Sequence, residues 1–219
     1  MSAASHPGGD IAMPDLAERL RDRAHTEYYD IAIQYHVAAR FAVQAKLWVV
    51  AGLLGHYAAE MYLKAYLSRH LNEAELKKLG HDLLKAWLEW VRISAVTDPY
   101  VAEAVGRLQP FWGIRYPEAI IATGMSLTVG LLLEHFTMVD EAGGEEILPD
   151  VPKYAFVLED LDRLAHLVFK TDGANPMFFF AGLSPVAKQT LTQDNPTTTW
   201  ADSVSAATVP GFAPAEAAE

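Results

Sequence analysis

At 219 residues the chain is long enough for one hydrophobic core and, once a polar tail is set aside, too short for two full ones. Its 28 acidic against 17 basic side chains give a formal net charge of −11, which works against a general affinity for phosphate backbones while leaving room for a local basic pocket. The absence of cysteine excludes disulfides and thiolate zinc sites and suits a reducing cytoplasm.

The opening stretch, MSAASHPGGDIAMPD, has neither the basic nor the apolar region of a secretory signal. Residues 1–13 are small, polar and Gly/Pro-containing, and are expected to be poorly ordered. Pro14 then suits a first helical turn, and an interrupted apolar stripe through Leu20, Tyr28, Ile31, Tyr35, Ala38 and Ala42 predicts a helix over 14–44. A break near His25 and Thr26 is allowed, with Thr26 as a cap. A bend near Lys46 is required by length alone, because one helix through Leu71 would exceed a compact domain.

The stretch 47–71, LWVVAGLLGHYAAEMYLKAYLSRHL, is apolar on most of its circumference and is expected to be the central, buried helix. One sparse polar ridge crosses it at four-residue spacing: Gly52, His56, Glu60, Lys64 and Ser68. The segment NEAELKKLG reads as a capped half-turn or loop ending at Gly80. His81 and Asp82 precede a helix with Leu83, Leu84, Trp87, Leu88 and Val91 on one face, and Asp98-Pro99 open a shorter one stopped at Pro110. In FWGIRYPE, Gly113 and Pro117 interrupt regular structure around Arg115 and Tyr116.

Residues 118–152 are ambiguous between a β-hairpin and an extra helix, and include a turn-rich acidic loop at 140–150. The run 153–170 predicts an amphipathic helix, with Tyr154, Val157, Leu158, Leu161, Leu164, Ala165 and Val168 inward and Glu159, Asp162 and Arg163 outward. From 173 to 219, Gly, Pro, Thr and Ala predict an irregular tail, whose MFFF at 177–180 docks on the bundle. The apolar runs 47–59 and 119–133 fall short of the roughly 18 to 20 residues needed to cross a bilayer. A soluble, cytoplasmic, all-α antiparallel up-and-down bundle over 14–172 is therefore expected.

Four stretches carry a resemblance: the Ala-rich helix at 28–45; HYAAEMYLKAYL at 56–67, with Glu60 followed by Leu63-Lys64-Ala65; Gly80-His81-Asp82-Leu83; and Arg115-Tyr116-Pro117 before a closing helix. In this order they resemble the HEPN family of small helical bundles, 118–152 being longer than that family's usual connection. The resemblance implies a homodimer and, as partner, a nucleotidyltransferase of a toxin–antitoxin or defence module, with nucleotide or RNA as ligand. Many members resemble metal-independent ribonucleases with an arginine four to six residues before a histidine near the last helix. Here that helix holds only Arg163 and His166, and the pair with the right spacing, Arg19 and His25, precedes the core. The resemblance thus implies a nucleotide-binding scaffold; a ribonuclease using His56, His81 or Arg115 is the alternative, as is a scaffold without ligand.

His56, Glu60 and Lys64, with Arg115 and Tyr116, are the candidate nucleotide-binding residues. Lys64 would supply the cation and His56 a proton carrier. The ridge is equally explained by an intrahelical Glu60–Lys64 pair, worth roughly 0.2–0.5 kcal/mol, and a satisfied buried histidine. Arg115 either clamps phosphate or stacks on a base, or returns to Glu60 and ties its loop to the bundle. His81 and Asp82 read as caps of the following helix. His56 and Glu60 lack an evident third ligand, so no metal and no cofactor are expected. No Gly-rich phosphate loop or nucleophile elbow is present.

Overall fold

The computed structural model describes residues 16–116, 118, 121, 124–131 and 153–195. It is mostly helical, with one small sheet. The elements are α1 (Leu16–Gln44), α2 (Trp48–Ser68), α3 (Glu73–Leu79), α4 (Leu83–Ser94), α5 (Pro99–Leu108), α6 (Phe111–Ile114), β1 (Ser126–Gly130), β2 (Lys153–Val157), α7 (Leu158–Asp172), α8 (Pro176–Phe180) and α9 (Pro185–Thr192).

The bend expected near Lys46 is there, and its chemistry is specific. Lys46 takes a left-handed φ of 58°. Its N–H donates to the Val43 carbonyl at 2.9 Å, and that of Leu47 to the Ala42 carbonyl at 2.7 Å. This pair of bonds is the Schellman ending, usually built on glycine. α1 itself is unbroken: Thr26 does not cap a second segment but donates its hydroxyl to the Asp22 carbonyl one turn back, at 3.0 Å. Pro14 lies outside the described residues.

α2 occupies the centre, touching α1, α3 to α7 and both strands. Its exposed side chains lie in the first turn, where Trp48 is 40% exposed. Two glycines set how closely its neighbours approach. A Cβ on Gly52 would lie 1.9 Å from the Phe111 ring, and one on Gly55 2.7 Å from Phe156. Side-chain pairing shows that α1 runs antiparallel to α7: His36 and Arg40 meet Asp162, Tyr29 stacks on Phe169 at 4.5 Å, and His25 meets Asp172.

Several expectations need correction. NEAELKKL is a helix, α3, because Asn72 and Glu75 form a reciprocal capping box and Gly80 (φ 59°) closes it. Phe111–Ile114 forms a helical turn through Gly113. Residues 153–157 are strand rather than the start of the closing helix, and among the described residues β1 pairs with this strand and with no hairpin partner. β1 and β2 pair in parallel, Ser126 opposite Lys153 through Gly130 opposite Val157; the Tyr, Phe and Val of KYAFV favour an extended chain, and Phe156 fills the space left by Gly55. The tail, finally, is not irregular through 195. Asn175 and Ser184, each followed by proline, cap α8 and α9. Phe179 and Phe180 dock as expected, while Phe178 stays exposed. The expectations for 1–13 and 140–150 lie outside the described residues.

Gly52→Ala forces Phe111 to move, so urea unfolding should show a loss of about 1–3 kcal/mol, whereas Gly182→Ala, whose Cβ meets nothing within 4 Å, should stay within about 0.5 kcal/mol. Equal effects would show that the close approach is not required.

Candidate functional site

The polar ridge of α2 faces the turn before α4 and the loop after α6. Glu60 is fully buried, and a carboxylate there must find donors. Lys64 Nζ donates to its Oε1 at 2.6 Å, and His81 Nδ1 approaches Oε1 and Oε2 at 3.2 and 3.1 Å. Lys64 also donates to the Gly80 carbonyl at 2.7 Å, so its charge serves the interior. The cap is Asp82 alone, which accepts from Lys85 N at 3.0 Å. His81 instead pairs with Glu60, and its imidazole, 50% exposed, stacks 4.0 Å from Trp112.

His56 lies one turn before Glu60. Its Nδ1 is 3.1 Å from the Leu108 carbonyl, which can only accept, so Nδ1 carries the proton. Nε2 is buried, has no hydrogen-bond partner, and sits 3.9 Å from Glu60 Oε2. Burial pushes the His56 pKa below its ordinary value, against the opposing pulls of the Leu108 carbonyl and Glu60. The ring is therefore neutral at neutral pH.

Arg115 does not return to Glu60, whose hydrogen bonds go to Lys64 and His81. It lies half-buried with its guanidinium carbon 3.3 Å from the Trp112 ring centroid and 4.4 Å from that of Tyr116. Among the described residues it meets no carboxylate, and its Nε has no hydrogen-bond partner. Tyr116 is 53% exposed. The structure thus gathers His56, Glu60, Lys64 and His81 into one cluster, and Trp112 joins that cluster to Arg115 and Tyr116. Trp112, bearing both His81 and Arg115, was not among the candidate residues.

Of the residues read as facing outward on the closing helix, Arg163 is exposed as expected, whereas Glu159 and Asp162 are buried ties. Both carboxylate oxygens of Asp162 accept from Arg40 Nη1, Oδ1 at 2.8 Å and Oδ2 at 2.6 Å, and Oδ1 lies 2.9 Å from His36 Nε2. Arg40 also donates to the carbonyls of Thr190 (2.8 Å) and Gln193, holding α9. Asp160 takes Arg107 and Tyr100 from α5. Glu159, also buried, pairs with Arg163. Helix α7 is covered on both sides, which a single apolar stripe does not reveal. Arg19 and His25 are not joined either: His25 donates to Asp172 at 2.6 Å, beside Tyr29 at 3.0 Å.

No group of three or more histidine or acidic side chains among the described residues could hold a metal ion, and no described helix is long and apolar enough to cross a membrane. No family model, curated protein or solved structure matches the chain.

Burial also holds His36 below the ordinary histidine pKa, despite its bond to Asp162. Because the unfolded chain protonates these two rings first, it binds more protons below about pH 6.5, and stability falls with falling pH. Asp172 acts in a separate, more acid window: burial raises its pKa, but His25, Tyr29 and Arg69 outweigh this and leave it lowered. The urea midpoint should drop from about pH 7.5 to about pH 5.5, and drop less in His56→Gln. A midpoint that holds or rises would contradict the neutral buried histidines.

Proposed function

We propose that the chain is a noncatalytic helical bundle of the HEPN kind that binds a nucleotide or an RNA end, pairs with itself, and works beside a partner such as a nucleotidyltransferase of a toxin–antitoxin or defence module. The observation that carries this reading is Arg115, packed on Trp112 and Tyr116 without a carboxylate among the described residues. In a chain of net charge −11, the other half-buried or buried arginines are neutralised: Arg40 by Asp162 and Arg107 by Asp160. A guanidinium held by aromatic faces keeps its fork free for phosphate oxygens, and the neighbouring planar rings suit a stacked base. The reading gains support from convergence. Glu60 with Lys64, the Gly80-His81 turn and the Arg115 loop are separated along the chain, carry the HEPN resemblance, and meet at Trp112. The homodimer and the partner rest on the resemblance alone.

A second reading, a metal-independent endoribonuclease, is favoured by His81. Its Nδ1 is held by a buried carboxylate and one face of its ring by Trp112, while the side chain stays half exposed, the arrangement of an oriented acid–base group.

Calorimetry with AMP and with a short 5′-phosphorylated RNA should show binding, and Arg115→Ala should weaken it at least tenfold, about 1.4 kcal/mol, with the helical circular dichroism unchanged. Absence of heat with AMP, ATP and RNA would favour a scaffold without ligand. Incubation with RNA in EDTA should give no cleavage. Cleavage lost in both His81→Ala and Arg115→Ala would move the assignment to the second reading, and cleavage equal in all samples would indicate a contaminant.

A further inference from the structure

Among the described residues, the buried ring of His56 is incompletely hydrogen-bonded, and the way it is incomplete has a chemical direction. Nδ1 must be protonated to bond the Leu108 carbonyl. Nε2 then presents a bare lone pair to a surrounding made of further acceptors: Glu60 Oε2 stands at 3.9 Å, and the backbone of His81 also favours the protonated ring. Two acceptors facing each other with nothing between them are poorly satisfied, and one proton on Nε2 resolves the conflict.

What keeps that proton off is charge and burial. His56 is fully buried, and desolvation opposes an imidazolium. On its own helix, Glu60 is already neutralised by Lys64 at 2.6 Å, and Tyr57 offers only the edge contact of its ring at 5.9 Å. From the turn before α4 comes His81, which itself leans on Glu60. From α5 comes the Leu108 carbonyl. From α6 comes Trp112, 6.0 Å away ring to ring, with the positive charge of Arg115 over the same indole. Among the described residues, the site therefore already holds the cations Lys64 and Arg115 against the single carboxylate of Glu60.

Resting on the reading that Arg115 and Trp112 seat a phosphate, we propose that His56 is the proton-accepting end of this site: a phosphomonoester bound there drives proton uptake onto His56 Nε2. The anion cancels the repulsion from Arg115 and adds attraction across Trp112, while Leu108, His81 and Glu60 supply the acceptors that the imidazolium needs. The proton comes from solvent, and no covalent bond is made or broken. By linkage the coupling is reciprocal: protonated His56 raises affinity for the anion. Affinity gains up to about tenfold per unit fall in pH, across the window where His56 is neutral in the free protein and protonated in the complex.

The test is a titration of the full chain with AMP at about pH 7.5, where the free nucleotide's phosphate is almost wholly dianionic. Calorimetry in two buffers of different ionisation enthalpy reads proton uptake, and nitrogen NMR of the histidine rings reads its site. Net uptake is expected, with movement of His56 Nε2 to its protonated position while the His81 ring nitrogens stay where they were, and with loss of the uptake in His56→Gln. Binding without uptake, uptake that follows His81, or an unmoved His56 Nε2 in the wild type would overturn the inference and leave the binding site standing. Failure of AMP to bind the wild type at all would overturn both. The NMR arm uses the unmodified protein, so it decides even if a substitution at the buried ring prevents folding.

Discussion

Glu60 is the constraint around which the remainder of the molecule is arranged. It sits in the middle of α2, wholly removed from water, and a bare carboxylate in that position would be costly. The helix itself supplies Lys64 one turn on, but a second donor has to come from elsewhere in the chain. It comes from His81, and for His81 to arrive the chain must turn at Gly80 and start α4 at Leu83. The left-handed φ of Gly80, its carbonyl bonded to Lys64, and the cap by Asp82 all serve that one delivery. Once His81 is in place its ring fixes Trp112 by stacking, and Trp112 in turn carries Arg115.

The same principle fixes α7 from several directions. Asp160 reaches α5, Asp162 reaches α1, and Asp172 reaches α1 together with Arg69, just after α2. Each pairing crosses between elements, so the electrostatic conflict created by burying a charge is solved only when the helices are docked in one arrangement. Apolar surfaces tolerate many dockings; a buried Arg40–Asp162 ion pair tolerates few. His36 adds directionality, since its Nε2–H meets Asp162 while Nδ1 accepts from the Tyr62 hydroxyl at 3.1 Å. Arg40 extends the tie to the end of α9 through two carbonyls, bringing into the body a C-terminal segment whose apolar contribution is small apart from Phe179, Phe180 and Leu191.

Much of this was legible in the residues. The central helix declared itself by its nearly complete apolar circumference, Asp82 and Asp98 by their position as caps, and the Glu60–Lys64 pair by its four-residue spacing. The elements that were missed have physical reasons. Lys46 occupies a left-handed position where glycine is the recognisable signal, so the end of α1 carried no mark. The strand at 153–157 is too short for its alternation to stand out against the helical pattern that follows. Asp162 and Glu159 looked solvent-facing because helical periodicity identifies one buried stripe and cannot report that a second neighbour covers the opposite face. Likewise His36 and Arg40, one turn apart on α1, gave no sign of their shared partner, which lies 122 residues later. The capping signals Asn-Pro and Ser-Pro before α8 and α9 were present in the sequence; the surrounding Thr, Ala and Gly obscured them.

For function, the distinction that matters is between charges the interior has consumed and those it has left available. Lys64 belongs to the first group and, among the described residues, Arg115 to the second, and that division follows from which side chains Glu60 holds. A double-mutant cycle on unfolding free energy tests the division most directly, with Glu60→Gln combined with His81→Ala in one cycle and with Arg115→Ala in the other. Direct contact between Glu60 and His81 predicts a coupling in the range of about 0.5–3 kcal/mol for the first cycle, and additivity within about 0.5 kcal/mol for the second. Coupling of Glu60 to Arg115 with additivity at His81 would contradict the account, because the arginine would then be the partner of the buried carboxylate and would have no charge to offer a ligand.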